Sequence, residues 1–251
     1  MGPLFSIITV TWNAAEVIAP TLESVQRQTN TDYEMLIIDG ASTDRTLDIV
    51  RGVSIASLRV FSEPDGGLYD AMNKGIARAR GQYLIFLNAG DAFASDTVLA
   101  RLAQLTASKP GVIYGQTQLV DEQRDVVGSR HLTAPKRLTA NSFLNGMVVC
   151  HQAFVARRDL VPEYDLRYKL SADYDWCIKV LKQSPANAYS GHVPIISYLA
   201  DGMTTRHHRA SLWERYRIMC HHYGTLRATL AHLSFIPRYL KRRLSGSANR
   251  Q

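Results

Sequence analysis

Only three cysteines, Cys150, Cys177 and Cys220, occur in 251 residues. They are too few and too scattered for a disulfide framework, and no CxxC pair offers a zinc site, so a reducing cytoplasm is the expected compartment. No apolar run approaches the roughly 18 residues that span a bilayer, and no basic leader precedes the first strand; neither membrane insertion nor secretion is expected. Two phosphate-binding signatures are also missing. There is no GxGxxG and no GxxxxGK[ST], which excludes a dinucleotide fingerprint and a P-loop. Acid is scarce at one end: from 202 to 251, ten Lys or Arg face the single acid Glu214, so this segment carries +9 and leaves −2 to the rest of a chain of formal charge +7. The partner of the positive charge is therefore met by the tail. Nucleic acid is not that partner, because no recognised module or interleaved aromatic platform accompanies the charge.

What the chain does have is a hydrophobic content of 46%, ample for a packed core. Its organising stretch runs from Glu63 to Asp91, EPDGGLYDAMNKGIARARGQYLIFLNAGD. A Gly-containing turn at Asp65-Gly66-Gly67 leads into a helix with Leu68, Met72 and Ile76 on one apolar stripe and Asp70, Asn73 and Lys74 on other faces. An apolar strand, Tyr83 to Leu87, then ends at Asn88-Ala89-Gly90-Asp91. Upstream, Phe5 to Val10 reads as a buried strand ending at Thr11-Trp12-Asn13. Val17, Ile18, Leu22 and Val25 mark a helix, and Tyr33 to Ile38 a second strand ending at Asp39. The next helix is expected to start near Ser42 or Thr43, whose side-chain oxygens can cap it. Alternation of strand and helix predicts an α/β fold with a parallel sheet and right-handed crossovers. Ligands in such sheets bind outside the carboxyl ends of the strands, where Asp39 and Asn88 to Asp91 emerge. A carboxylate-and-metal arrangement is then the remaining common way to hold a diphosphate.

Taken in order and spacing, FSIITVTWN, IIDGASTDRT, EPDGGLYDAMNKGI and GQYLIFLNAGD resemble the family 2 inverting glycosyltransferases, and among them the small bacterial enzymes of exopolysaccharide and O-antigen assembly of the colanic-acid type. The resemblance implies a GT-A fold, a Rossmann-like mixed, mostly parallel sheet flanked by helices. It implies that Val10 and Trp12 pack around the nucleotide base, that Asp39 hydrogen-bonds the base, and that Asp65 helps hold the nucleotide. The family's DxD motif, which ligates a divalent metal (Mg2+ or Mn2+) and the diphosphate, falls on Asn88-Ala89-Gly90. Both of its carboxylates are missing, so Asp91 becomes the expected principal ligand of metal or donor sugar. Asn88 can contribute only a carbonyl oxygen.

Downstream, a helix with Val98, Leu99, Leu102 and Leu105 runs to Pro110, and Val112 to Val120 reads as a strand, followed by a turn over 121–125. Gly146 to Val155 reads as an apolar strand interrupted by His151-Gln152. His151 is either a satisfied, partly buried histidine or a contact to acceptor or diphosphate. In Leu170 to Trp176, Ser171 is the expected N-cap and puts Asp173 in the first turn of a helix, where the positive helix end favours an ionised carboxylate. By residue pattern alone Asp173 is electrostatic capping or a proton acceptor. The resemblance implies the latter, a general base. His207, after the Asp201-Gly202-Met203 loop, is either a surface histidine or the completion of a metal site.

Two parts are expected, a catalytic domain over 1–205 and a helical basic extension over 206–251. The extension combines Leu212, Tyr216, Met219 and Tyr223, the segment Leu226 to Ile236, and Lys241-Arg242-Arg243. It either packs on the body or lies in a membrane interface. The expected function is inverting sugar transfer from a nucleotide-diphosphate sugar to a hydroxyl of a glycan or lipid-linked acceptor, by a cytoplasmic protein held peripherally on the inner membrane face. A non-catalytic nucleotide-sugar-binding subunit and a sugar nucleotidyltransferase are the alternatives. The latter would carry a Gly-rich basic loop after the first strand, and Thr11-Trp12-Asn13-Ala14-Ala15 is not one.

Overall fold

The computed structural model describes residues 2–200 and 208–233. Among the described residues, eleven strands form two sheets. In the interior of the larger lies β1 (Phe5–Thr11), flanked by β2 (Tyr33–Asp39) and β4 (Tyr83–Phe86), both parallel to it, with Phe5 level with Tyr33 on one side and Tyr83 on the other. All three are buried along their whole length, as unalternating Ile, Leu, Val and Phe runs require when helices cover both faces. With β3 (Leu58–Ser62), β6 (Val112–Tyr114), β9 (Phe154–Arg157) and β10 (Asn187–Tyr189), the large sheet has the order β10-β6-β9-β4-β1-β2-β3. Only β9 runs against its neighbours. The small sheet has the order β5-β11-β7-β8, from β5 (Ala92–Phe93), β7 (Thr117–Val120), β8 (Val126–Ser129) and β11 (Ile196–Leu199).

Helices α1 (Ile18–Gln26), α2 (Thr46–Arg51) and α3 (Leu68–Arg78) follow β1, β2 and β3 and connect parallel strands, as the alternation predicts. α3 is rolled slightly from its expected face: Tyr69, Met72 and Gly75 are buried, whereas Leu68 is 40% exposed. α2 starts later than expected. Residues 42–45 form a turn instead, and Asp44 Oδ1 accepts from the Thr46 amide at 2.9 Å. α4 (Val98–Leu105) lies where its apolar spacing places it.

Two expected strands are altered. The run 112–120 breaks at Gly115 and Gln116, β6 joining the large sheet and β7 the small one. The run 146–155 is mostly not a strand: residues His151–Ala153 form a 3-10 turn, and only Phe154 onwards pairs in the sheet. Helix α5 (Ala172–Gln183) carries Trp176, Cys177 and Ile178 into the core.

Helix α6 (His208–Tyr223) packs on α5, with Ile218 and Met219 buried in the same hydrophobic core as the strands. Polar contacts fix the pairing. Glu214 accepts the Lys169 and Leu170 amides, both at 2.8 Å, and His222 Nε2 lies 2.7 Å from Asp175 Oδ1. Lys179 Nζ lies 2.7 Å from the other oxygen of Asp175. Burial pushes the Asp175 carboxyl up, but the hydrogen bonds from His222 and Lys179 outweigh it and hold the group below its usual range. Residues 225–233 are helical. Among the described residues, no helix is long and apolar enough to cross a membrane.

Candidate active site

The carboxyl ends of β1, β2 and β3 and the start of α3 converge on one rim. The loop after β1 is held to the loop after β2 by short-range polar bonds. Asn13, in the left-handed region at φ 47°, donates its amide to Ser42 Oγ at 2.8 Å and accepts the Thr43 amide at 2.9 Å. The Ala14 and Ala15 amides are taken by Thr46 Oγ1 and Asp44 Oδ2 at 2.7 and 3.0 Å. Trp12, just beyond β1, is left 71% exposed over this rim, while Val10 is buried in the strand beneath it.

Asp39 is the internal brace of the rim. It is 1% exposed; its Oδ1 accepts from Thr11 and Ser42 hydroxyls at 3.0 and 2.5 Å, and its Oδ2 from the Ser42 amide and Ser62 hydroxyl at 2.9 and 2.7 Å. Burial opposes its ionisation, but bonds from Ser42, Ser62 and Thr11 outweigh that and hold the carboxyl below its usual range. Four donors leave little acceptor capacity for a base. The more accessible carboxylate is Asp65, which accepts from the Gly67 amide at 2.8 Å. Gly40 admits it: a Cβ at position 40 would lie 2.5 Å from Asp65 Oδ2 and 3.5 Å from Trp12 Cδ1. Trp12, Gly40 and Asp65 thus border one space.

At the end of β4 the corner is tighter than the sequence suggests. Asp91 is 5% exposed, accepting Gln152 Nε2 on Oδ2 at 2.8 Å and the Leu199 amide on Oδ1 at 3.1 Å. Burial pushes its carboxyl up to about 7, against the opposing effects of Leu199, Gln152 and Arg124. Thr21 Oγ1 donates to the Asp91 carbonyl at 2.7 Å and accepts the Gly90 amide at 3.0 Å. Arg124, in the turn before β8, donates to the Gly90 carbonyl at 2.7 Å. Asn88 Oδ1 is buried without a hydrogen-bond partner among the described residues. His207 lies outside the described residues. These groups do not fit a resident divalent ion: the one carboxylate present already accepts on both oxygens, and among the described residues no group of three or more His, Cys, Asp or Glu is set to hold a metal. Asp91 is here engaged by protein donors on both oxygens. Its carboxyl ties the end of β4 to β11 and to the 3-10 turn.

Asp173 sits in the first turn of α5, as expected, although Ser171 does not cap the helix with its side chain. The Ser171 hydroxyl faces Ser211 Oγ at 3.0 Å. Asp173 Oδ1 accepts the Tyr174 amide at 2.9 Å and the Tyr69 hydroxyl at 3.1 Å. Its Oδ2 meets no donor among the described residues, and the side chain is half-buried. Behind Tyr69 lies an aromatic stack: Tyr69 on Tyr164 with ring centres 5.5 Å apart, and Tyr164 on Trp176 at 5.2 Å. His151 belongs to this layer. Its Nε2 lies 2.6 Å from the Tyr164 hydroxyl, and burial pushes its pKa down to about 4, so it is a satisfied, neutral core histidine. Beside Tyr69 a shallow cleft opens between the turn 66–70 and the segment 166–169.

Tyr69, Tyr164, Gln152 and Arg124 escaped sequence reasoning. The signal for the first was the four-residue interval between Tyr69 and Asn73, which puts both on one side of α3. Asn73 exchanges two hydrogen bonds with the Tyr164 backbone, at 2.7 and 3.0 Å.

Comparison with known proteins fits this geometry. The chain is similar to the PGL/p-HBAD biosynthesis glycosyltransferase of Mycobacterium tuberculosis, at 34% identity over 205 residues, 78% of this chain and 77% of that protein. In fold it resembles S. aureus TarS 1-349 solved with UDP-GlcNAc (TM-score 0.71, 17% identity, 96% of this chain and 73% of that one). It also resembles the mannosyltransferase PcManGT of Pyrobaculum calidifontis solved with GDP-Man and Mn2+ (TM-score 0.59, 16% identity, 99% and 80%). These likenesses establish the GT-A fold. The profile described as glycosyl transferase family 2 matches residues 6–165, from the second residue of β1 to the loop before α5, and with it the chain belongs to that family of glycosyltransferases.

Proposed function

We propose that the protein transfers a sugar from a nucleotide-diphosphate sugar to a hydroxyl of a cell-surface glycan or lipid-linked acceptor, with inversion at the anomeric carbon. The observation that carries this reading is the half-free carboxylate of Asp173. One oxygen is held by two donors, one of them Tyr69 of the helix that follows the Asp65 turn, and the other is open. In the reaction, Asp173 Oδ2 takes the proton from the acceptor hydroxyl as that oxygen bonds to the anomeric carbon. The carbon–oxygen bond to the diphosphate breaks, and the nucleoside diphosphate leaves with the electron pair. A single displacement inverts the centre.

Trp12 offers a face to the base and Asp65 an acceptor to the nucleotide, with Asp39 holding both loops in place. Asn88 Oδ1, buried and without a partner just after β4, is the acceptor that this corner offers to a donor-sugar hydroxyl. The cleft beside Tyr69, rimmed by Leu68 and Leu166, supports approach of the acceptor from that side. Both solved neighbours hold nucleotide sugars, which supports the donor class, and one of them holds Mn2+. No step here depends on a metal. For the acceptor, the relative named for PGL/p-HBAD biosynthesis supports a surface glycoconjugate.

Peripheral binding on the inner membrane face is supported by Leu226, Leu230 and Leu233, exposed at helical spacing on residues 225–233 and followed in sequence by Lys241-Arg242-Arg243. A nucleotide-sugar-binding subunit without catalysis would need no such open carboxylate.

The test is Asp173→Asn assayed for transfer and for donor binding. Loss of a general base costs on the order of 10²–10⁴ in rate, while calorimetric donor affinity should be retained. Near wild-type turnover would remove Asp173 from this role.

A further inference from the structure

We propose that the Tyr69 hydroxyl is a positioning group of the transfer reaction: it fixes the Asp173 carboxylate so that one oxygen alone faces the acceptor hydroxyl. The proposal rests on Asp173 acting as the base.

A carboxylate on a helix's first turn can rotate about its terminal torsion, which has broad wells. Left to itself it would present either oxygen, or turn both toward its own helix amides. Here Oδ1 is taken twice, by the Tyr174 amide at 2.9 Å from within α5 and by the Tyr69 hydroxyl at 3.1 Å from α3. The amide alone constrains the carboxylate to its own helix. The hydroxyl, 104 residues away in sequence, ties it to the helix that follows the Asp65 turn, and so couples the base to the nucleotide rim.

The anchor for that hydroxyl is stiff. Tyr69 is 7% exposed, its ring stacked on Tyr164 at an interplanar angle of 26°, and Tyr164 on Trp176 at 11°. Asn73, one turn beyond Tyr69, clamps the Tyr164 backbone on both its amide and its carbonyl. Trp176 Nε1 donates to the Pro162 carbonyl at 2.9 Å, and the Tyr164 hydroxyl meets His151. The side-chain polar groups of Tyr164 and Trp176 are thus engaged by His151 and Pro162, and the Tyr69 hydroxyl is the one of the stack that reaches Asp173. Burial first, and then the neighbouring Asp173 charge, push the Tyr69 phenol far above its usual range. It stays protonated and can only donate to an ionised carboxylate. An interaction that holds a catalytic group in its reacting orientation lowers the barrier without adding to substrate affinity.

Tyr69→Phe removes the hydroxyl and keeps the stacked ring. It is compared with Asp173→Asn and with the double variant, using kcat, donor KM and Tm in single-turnover and steady-state assays. A charged hydrogen bond lost from a reacting group predicts a fall in kcat of about ten- to a hundredfold, with donor KM within roughly twofold. In the Asp173→Asn background the second substitution should produce no further loss, because the group being oriented no longer accepts a proton. Wild-type kcat in Tyr69→Phe beside an inactive Asp173→Asn overturns the positioning role and leaves the base in place. Equal losses from Tyr69→Phe in both backgrounds also overturn it, since that pattern belongs to a general packing defect, as does a kcat loss that tracks a lowered Tm. Retained turnover in Asp173→Asn overturns the base and this proposal together.

Discussion

Replacing Asp91 with asparagine distinguishes a carboxyl that braces the fold from one that holds a ligand. Burial raises the folded-state value of Asp91 to about 7, whereas an unfolded chain titrates this group near 3.9. The folded protein therefore binds the extra proton between those values. Stability from this group is fully present below about pH 3.9, falls by about 1.4 kcal/mol per pH unit as pH rises, and is lost once pH passes about 7. Between pH 5 and pH 8.5 the wild type should lose about 2.7 kcal/mol on this account, a span of two units. An asparagine does not titrate and escapes that loss. Its Oδ1 can still accept the Leu199 amide, and a turned Gln152 amide can accept from its Nδ2. For a chain of this length a kcal/mol moves Tm by about 2–4 °C, so the Tm difference between Asp91→Asn and wild type should shift in favour of the variant by roughly 5–11 °C from pH 5 to pH 8.5. Comparing two pH values cancels whatever the amide itself costs. The assay is thermal unfolding of both proteins in a matched buffer series, with turnover measured alongside with and without excess chelator. Parallel Tm curves would refute the buried-acid reasoning. Abolished turnover in the variant, reproduced in wild type by chelation, would return Asp91 to the role of a ligand.

Asp39→Ala should lower nucleotide affinity and Tm together, because it leaves the Thr11, Ser42 and Ser62 hydroxyls and the Ser42 amide without their acceptor; an unsatisfied buried group costs about 1–3 kcal/mol. Affinity lost in calorimetry at unchanged Tm would mean instead that Asp39 touches the base directly. Leu226→Ser with Leu230→Ser should reduce sedimentation with anionic vesicles, and high salt should do the same by screening the basic residues that follow. Both substituted side chains are exposed, so the fold and donor binding should persist. Unchanged sedimentation of the double variant would mean that this face does not meet the lipid.

The parts of the fold legible in the sequence are those decided by unalternating burial. β1, β2 and β4 have apolar side chains pointing to both faces, and nothing competes with a strand there. The same rule failed at 146–155, equally apolar, because His151 and Gln152 have partners to reach: the Tyr164 hydroxyl and the Asp91 carboxylate. A 3-10 turn directs both inward where a strand would send neighbours to opposite faces. Ser171 failed as a cap for a related reason, its hydroxyl being turned to Ser211, 40 residues on.

Position along the chain therefore located the polar groups of the site better than it assigned their work. Asp39, Asp91 and Asp173 each follow or begin an element as expected, yet four donors surround the first, two enclose the second, and the third alone keeps an oxygen open. What separates them is the number of donors that other segments deliver: β1 and β3 to Asp39, β11 and the 3-10 turn to Asp91, and α3 to Asp173. Those deliveries are long-range, and no local pattern encodes them. The one trace they leave is a polar or aromatic residue spaced one helical turn from another, as Tyr69 is from Asn73. In α3 that spacing joins the clamp on Tyr164 to the hydroxyl on Asp173, so the helix that follows the Asp65 turn also holds the Asp173 carboxylate.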